Sequence, residues 1–253
     1  VSGSGLELVV HPCNRAAPTF LTDVKAFIVR QKLFGVVMPP SVSEDERVIA
    51  VLKAADCPYV RIASVSLDEP ANMVVTNDSQ GAAEAARHLA GLGHRRIAFI
   101  SGPDTFRSSH ERGQGFRDGL AEHGVALDES LVRQGAYTFE SGVEAAESLL
   151  ALPSPPTAIF AGNDEMAIGV MKAARDKGLD VPGDLSIVGF DDLPMASRVW
   201  PNLTTVRLPI RDMGRMAAEK LTARSRGLDP ATLSQPEVIP SLVVRQSTAG
   251  PRV

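Results

Sequence analysis

Three times along this chain an apolar, β-branched run passes through a short polar loop into a helical stretch, and each time polar residues fall just past the strand. The segments are Arg96–Pro103 with Arg112 beyond it, Thr157–Asp164, and Leu185–Asp192. In an open parallel sheet the carboxyl ends of the strands share one edge, so Arg112, Asn163 and Asp191 are predicted to converge on one crevice. Parallel strands also require helical crossovers that cover both sheet faces, which fixes the class as α/β.

The rest of the chain keeps this alternation. Strands are predicted at Leu6–Val10, Gly35–Met38, Tyr59–Ile62, Met73–Val75, Ile97–Ile100, Leu131–Arg133, Ala158–Ala161, Ser186–Gly189, Thr204–Arg207 and Val238–Val244, with helical periodicity between most of them. Ser43 and Glu46 read as a capping box opening Arg47–Ala55, and Asp78 as the cap of a helix stopped at Gly93. Asp164 begins a helix that runs to Lys177-Gly178, and Arg211–Ala223 is a further one. So many strands suit two lobes better than one. The first is predicted to hold residues 1–76 and 207–235 and the second 77–206 and 236–253, with Gly227–Pro240 as a surface connection and Trp200 packing near a crossing or hinge.

Composition removes several functions. Twenty-six basic against 30 acidic residues give a net charge of −4, and the longest basic grouping is Arg95-Arg96, which argues against a nucleic-acid surface on this chain. No apolar run is long enough for a membrane span, and the amino terminus has no signal-peptide pattern. Cys13 and Cys57 read as free thiols in a reducing cytoplasm. The five histidines show no ligand spacing, and neither Gly-x-Ser-x-Gly nor a phosphate loop is present, so no catalytic residue, metal site or cofactor is expected. What remains is the polar edge. Arg112 offers a planar fork of donors, Asp191 accepts, and Asn163 does both, which suits a polyhydroxylated ligand. The alternative for Asn163 and Asp191 is that they cap helices, as Asp164 and Asp192 would. Tyr137 and Phe106 lie where a ring could cover a sugar's apolar face or fill the core, and Ser108 shares the approach to Arg112.

These segments resemble the lactose-repressor/galactose-repressor family of bacterial transcription regulators, in its effector-binding and dimerisation portion. The resemblance is carried by Gly91–Ala98, Gly102-Pro103, Arg112–Phe116, Ala161–Gly169, Val181–Asp192, Leu203–Thr205 and Leu242–Ser247, in order and at matching spacing. It implies a periplasmic-binding-protein-like fold of type I, two Rossmann-like lobes joined by three crossovers with the effector cleft between them. In the family the positions of Arg112, Asn163 and Asp191 commonly hold the ligand, and an aromatic at that of Tyr137 often stacks on it. Ala63 and Leu208 are apolar cleft positions where some sugar-binding relatives carry polar groups. The family's DNA-binding head finds no counterpart here, nor do the strand and helix that open its first lobe. The expected protein is therefore the effector core of a cytoplasmic, homodimeric repressor that takes a sugar or glycoside and reads operator DNA through a head absent from this chain. The alternative is an exported sugar-binding protein of an uptake transporter. Val48, Val51 and Leu149 are either dimer contacts on exposed helix edges or core residues of their lobes.

Overall fold

In the computed structural model, residues 5–223, 227, 228, 233 and 238–252 are described. The chain forms two compact units, one from Val1–Thr76 and Ile210–Val238, the other from Asn77–Pro209 and Ile239–Val253. Much of the predicted connection Gly227–Pro240 and the 235/236 boundary lie outside the described residues.

The first unit opens with α1 (Phe20–Gln31), β1 (Val36–Met38), the single turn α2 (Pro40–Ser43), α3 (Glu46–Ala54), β2 (Tyr59–Ala63) and β3 (Met73–Val75). Its strands make a parallel sheet in the order β1-β2-β3, and Phe20, Ile28, Met38, Val48, Ile49 and Leu52 build the core beside it. The α3 cap is Asp45, whose carboxylate accepts from the Arg47 N–H; Ser43 instead donates its hydroxyl to the Ile62 carbonyl. The predicted capping box is therefore displaced by one short turn of helix. Leu6–Val10 is not a strand. The segment belongs to neither sheet, and Leu8 and Val10 are 80% and 75% exposed.

The second unit follows with α4 (Asp78–Gly91), β4 (Ile97–Ser101), α5 (Arg107–Ala121), β5 (Val132–Gln134), α6 (Phe139–Leu150), β6 (Ala158–Ala161), α7 (Asp164–Asp176), β7 (Ser186–Asp191) and β8 (Thr204–Arg207). Helix α8 (Ile210–Ala223) then belongs to the first unit, and the edge strand β9 (Ser241–Val243) to the second. The predicted strand Val238–Val244 is thus shortened to the three residues that pair antiparallel with β8, and Val238 falls to the first unit. Strand order is β5-β4-β6-β7-β8-β9, parallel up to β8.

Period-two alternation sorts the central strands onto two cores. Ala98, Ile100, Ile159, Ala161 and Ile187 face α6 and α7, while Ile97, Phe99, Ala158, Phe160, Val188 and Phe190 face α4 and α5. On the second face Phe99, Phe116 and Phe160 stack at 4.6 to 5.6 Å between centroids, and Phe190 adjoins Phe160 at 6.5 Å. Helices α4 and α5 approach so closely that a Cβ on Gly115 would overlap the Ser79 carbonyl, which leaves glycine as the residue that fits. Val48 and Leu149 are core residues of their own units, at 4% and 0% exposure, and Val51 packs partly buried against the first core. They do not form the exposed apolar edge expected of dimer contacts.

Candidate functional site

The carboxyl ends of β5, β4, β6 and β7 lie side by side in the second sheet, and the side chains predicted from spacing do meet there. Arg112 comes from the second turn of α5, Asp191 is the last residue of β7, Asn163 stands between β6 and α7, and Tyr137 lies between β5 and α6. Arg112 is buried and donates from Nε to Asp78 Oδ2 at 2.7 Å, from Nη1 to the Gly162 carbonyl at 2.5 Å, and from Nη2 to Asp191 Oδ1 at 3.4 Å. Its guanidinium lies 3.8 Å from the Phe190 ring centroid, so the aromatic stack of the core ends beneath a cation.

Asp78 had read as a helix cap. In the structure Asn77 holds the cap position with φ 49°, and Asp78, one residue into α4, is 2% exposed and paired with Arg112. The sequence hid this role because a carboxylate in a first helical turn is already accounted for by the helix dipole.

Asn163 is committed on both sides. Its oxygen accepts from the Met166 N–H as the cap of α7, and its Nδ2 donates to the Tyr137 carbonyl at 3.0 Å. The cap reading thus describes its oxygen, and its second bond fixes the Tyr137 loop. Tyr137 is half-buried, with its hydroxyl 2.8 Å from Ser109 Oγ and 3.5 Å from Ser108 Oγ, and its ring meets Phe106 edge-on at 5.9 Å. Ser108 and Ser109 open α5, so Ser109 joins the group although the sequence did not single it out.

With Asn77, four non-glycine residues here have positive φ, the others being Tyr137 (φ 62°), Asp191 (φ 112°) and Asp192 (φ 56°). Such conformations cost on the order of 1–3 kcal/mol each and persist only where the surroundings enforce them. The enforcing bonds are visible. Asp192 accepts from Arg207 and Arg245, both at 2.6 Å, and buried Asp164 accepts from the Leu193 N–H at 2.7 Å and the Thr205 hydroxyl. Asp164 and Asp192 are therefore braces of the loop that carries Asp191, not simple caps.

Charge is unevenly held. Burial pushes the Asp191 carboxyl up, Arg112 pulls it down and Asp78 raises it again, leaving it at about 6. Burial likewise raises Asp164, against the bonds from Thr205 and Leu193, to about 7. Burial also opposes the Asp192 charge, but its two arginine partners outweigh this and lower it. Desolvation works against the Arg112 cation, yet Asp78 and Asp191 more than compensate and its pKa is raised.

The remaining positions do not join this group. Leu208 packs against the Phe99–Phe190 core, and Ala63 is a buried residue of the first unit. Trp200 does not pack as predicted: in the turn between the short helical segment Pro194–Ser197 and β8 it is 83% exposed. Among the described residues no group of His, Cys, Asp and Glu could hold a metal ion, and no helix is long and apolar enough to cross a membrane.

Comparison with known proteins adds a lineage to this geometry. Residues 86–248 match the family model described as a periplasmic binding protein-like domain. The HTH-type transcriptional regulator DegA of Bacillus subtilis is 39% identical over 90% of this chain and 68% of its own length. Among solved structures, a transcriptional regulator CelR–cellobiose complex superposes with a TM-score of 0.80 at 31% identity, covering 91% of this chain and 71% of that one. A dimeric Lac repressor with an 11-residue carboxyl-terminal deletion gives a TM-score of 0.82 at 28% identity, covering 96% and 88%. The chain spans 55 to 68% of the length of the first curated relatives it matches.

Proposed function

Because this chain belongs to the LacI family of transcriptional regulators and carries its periplasmic-binding-protein-like domain, we propose that it is the effector-sensing core of a repressor, with a sugar or glycoside held at the edge built by Arg112, Asp191 and Tyr137. The observation that carries this reading is the grouping of one buried guanidinium, one half-buried carboxylate and one half-buried aromatic at adjacent strand ends. Each sugar hydroxyl both donates and accepts, which such a group satisfies, and a ring can cover the sugar's apolar face. The relatives carry regulator names, which favours this reading over the exported binder.

In this reading the full-length protein works in the cytoplasm and reads operator DNA through a separate head. The effector changes DNA affinity only as far as it binds two arrangements of the protein unequally. A thermal-shift screen of sugars and glycosides tests the first step. A ligand that binds the native state alone raises the melting temperature. If no sugar or glycoside did so, the reading would fail.

The protein is proposed to act as a two-fold dimer, as palindromic operators require of paired heads. With Val48 and Leu149 buried, the exposed apolar residues of the second unit at Trp200 and Met195 become the better candidates for the contact. Trp200→Glu is expected to weaken dimerisation by about 2 kcal/mol, roughly thirtyfold. Sedimentation across a concentration series checks it, and an unchanged dissociation constant would place the contact elsewhere.

A further inference from the structure

We propose that this edge selects neutral polyhydroxylated ligands and turns away anionic ones, hexuronates and sugar phosphates, because Arg112 is already neutralised from within by Asp78. The inference rests on the reading of the edge as an effector site and narrows the ligand class.

An arginine that clamps an anion must present a bidentate face and a surplus of positive charge. Arg112 has neither to spare. Its Nε–H is taken by Asp78 Oδ2 at 2.7 Å, and one Nη1 donor by the Gly162 carbonyl. Its Nη2 is shared at 3.4 Å with Asp191, the least tightly held contact of the three. An incoming carboxylate or phosphate must therefore use the remaining Nη hydrogens and lie next to the Asp191 carboxylate, where like charges repel in a poorly solvated place. At neutral pH Asp191, titrating at about 6, is mostly ionised.

Two further cations of this loop cluster do not reverse the balance. Arg207 and Arg245 are paired with Asp192. The N-terminus of α5 adds a partial positive charge of roughly half a unit, less than the full negative charge of Asp191, and the groups it presents are the hydroxyls of Ser108 and Ser109 with that of Tyr137. A hydroxyl-bearing ligand meets donors and acceptors here at no charge cost. The residue that sets this preference is Asp78, which holds the guanidinium from Nε at 2.7 Å, against 3.4 Å for the Asp191 contact at Nη2.

The test is calorimetry on the full-length protein near pH 8, using glucose, glucuronate and glucose 6-phosphate, then the matching galactose set, with wild type and Asp78→Asn. Within the set that binds, the neutral sugar should bind at least about tenfold more tightly than its uronate or phosphate. Asp78→Asn should narrow that ratio by about tenfold, since it removes one of the two negative charges set against Arg112 and leaves the group neutral. A wild type that binds uronate or phosphate as tightly as the neutral sugar overturns the inference while leaving the effector site standing, and so does an unchanged ratio in a folded Asp78→Asn variant. If the variant does not fold, the wild-type ratio decides alone. If none of the six binds and no sugar or glycoside raises the melting temperature, the effector-site reading and this inference fall together.

Discussion

Arg112→Ala is expected to abolish effector binding and also to destabilise the second unit by about 3–5 kcal/mol, because it leaves Asp78, 2% exposed, as a buried carboxylate without its arginine. Asp191→Asn should separate the two effects. It removes the charge from the longest of the three Arg112 contacts and keeps the pairs with Asp78 and Gly162, so the fold holds. Its own carboxylate is disfavoured by burial, so neutralising it costs little stability. Ligand affinity should still fall by about 2–3 kcal/mol, thirty- to two-hundredfold, since a charged acceptor for sugar hydroxyls is gone. Calorimetry with any sugar found by thermal shift, set beside a melting curve for each variant, distinguishes the outcomes. Unchanged affinity in a folded Asp191→Asn variant would remove this edge from the binding reaction.

The different weights of Arg112 and Asp191 show where a sequence stops being legible. Strand-to-loop-to-helix periodicity places residues along an edge, because strand direction and period are local properties. It therefore found Arg112, Asn163, Asp191 and Tyr137, and it assigned the parallel class of the sheet. It could not find the Asp78–Arg112 pair, since 34 residues separate them and only the close packing of α4 on α5, permitted at Gly115, brings them together. Ser43 and Asp78 had plausible local duties as caps, and tertiary bonds reassigned both. Leu6–Val10 has a strand's composition, yet it joins neither sheet, since β propensity is decided by tertiary context. The position of Trp200 beside the predicted crossing points to packing, and its exposure is informative because large aromatics are usually buried.

The stability gap between wild type and Asp164→Asn should change with pH by about 2–3 kcal/mol between pH ~5 and ~8. Asp164 is fully buried, with the Thr205 hydroxyl and the Leu193 N–H as its donors, and its carboxyl is raised from 3.8 to about 7. Between those two values the unfolded chain has released this proton while the folded chain keeps it. Its contribution is therefore present in full below the unfolded pKa and is lost as pH rises through about 7. Asparagine does not titrate, and its single carbonyl oxygen replaces two acceptors, so it leaves one donor poorly satisfied at every pH, at about 1–3 kcal/mol. At the acidic end the wild type should accordingly be the more stable protein, and at the alkaline end the two should approach parity or cross. Asp191, His88 and His94 have shifted values of their own, but they are common to both proteins and cancel in the difference. Denaturant unfolding of both proteins across this range measures the gap directly. A constant gap would mean that Asp164 keeps one protonation state throughout, and the loop bearing Asp191 would then be braced by hydrogen bonds whose strength is independent of pH.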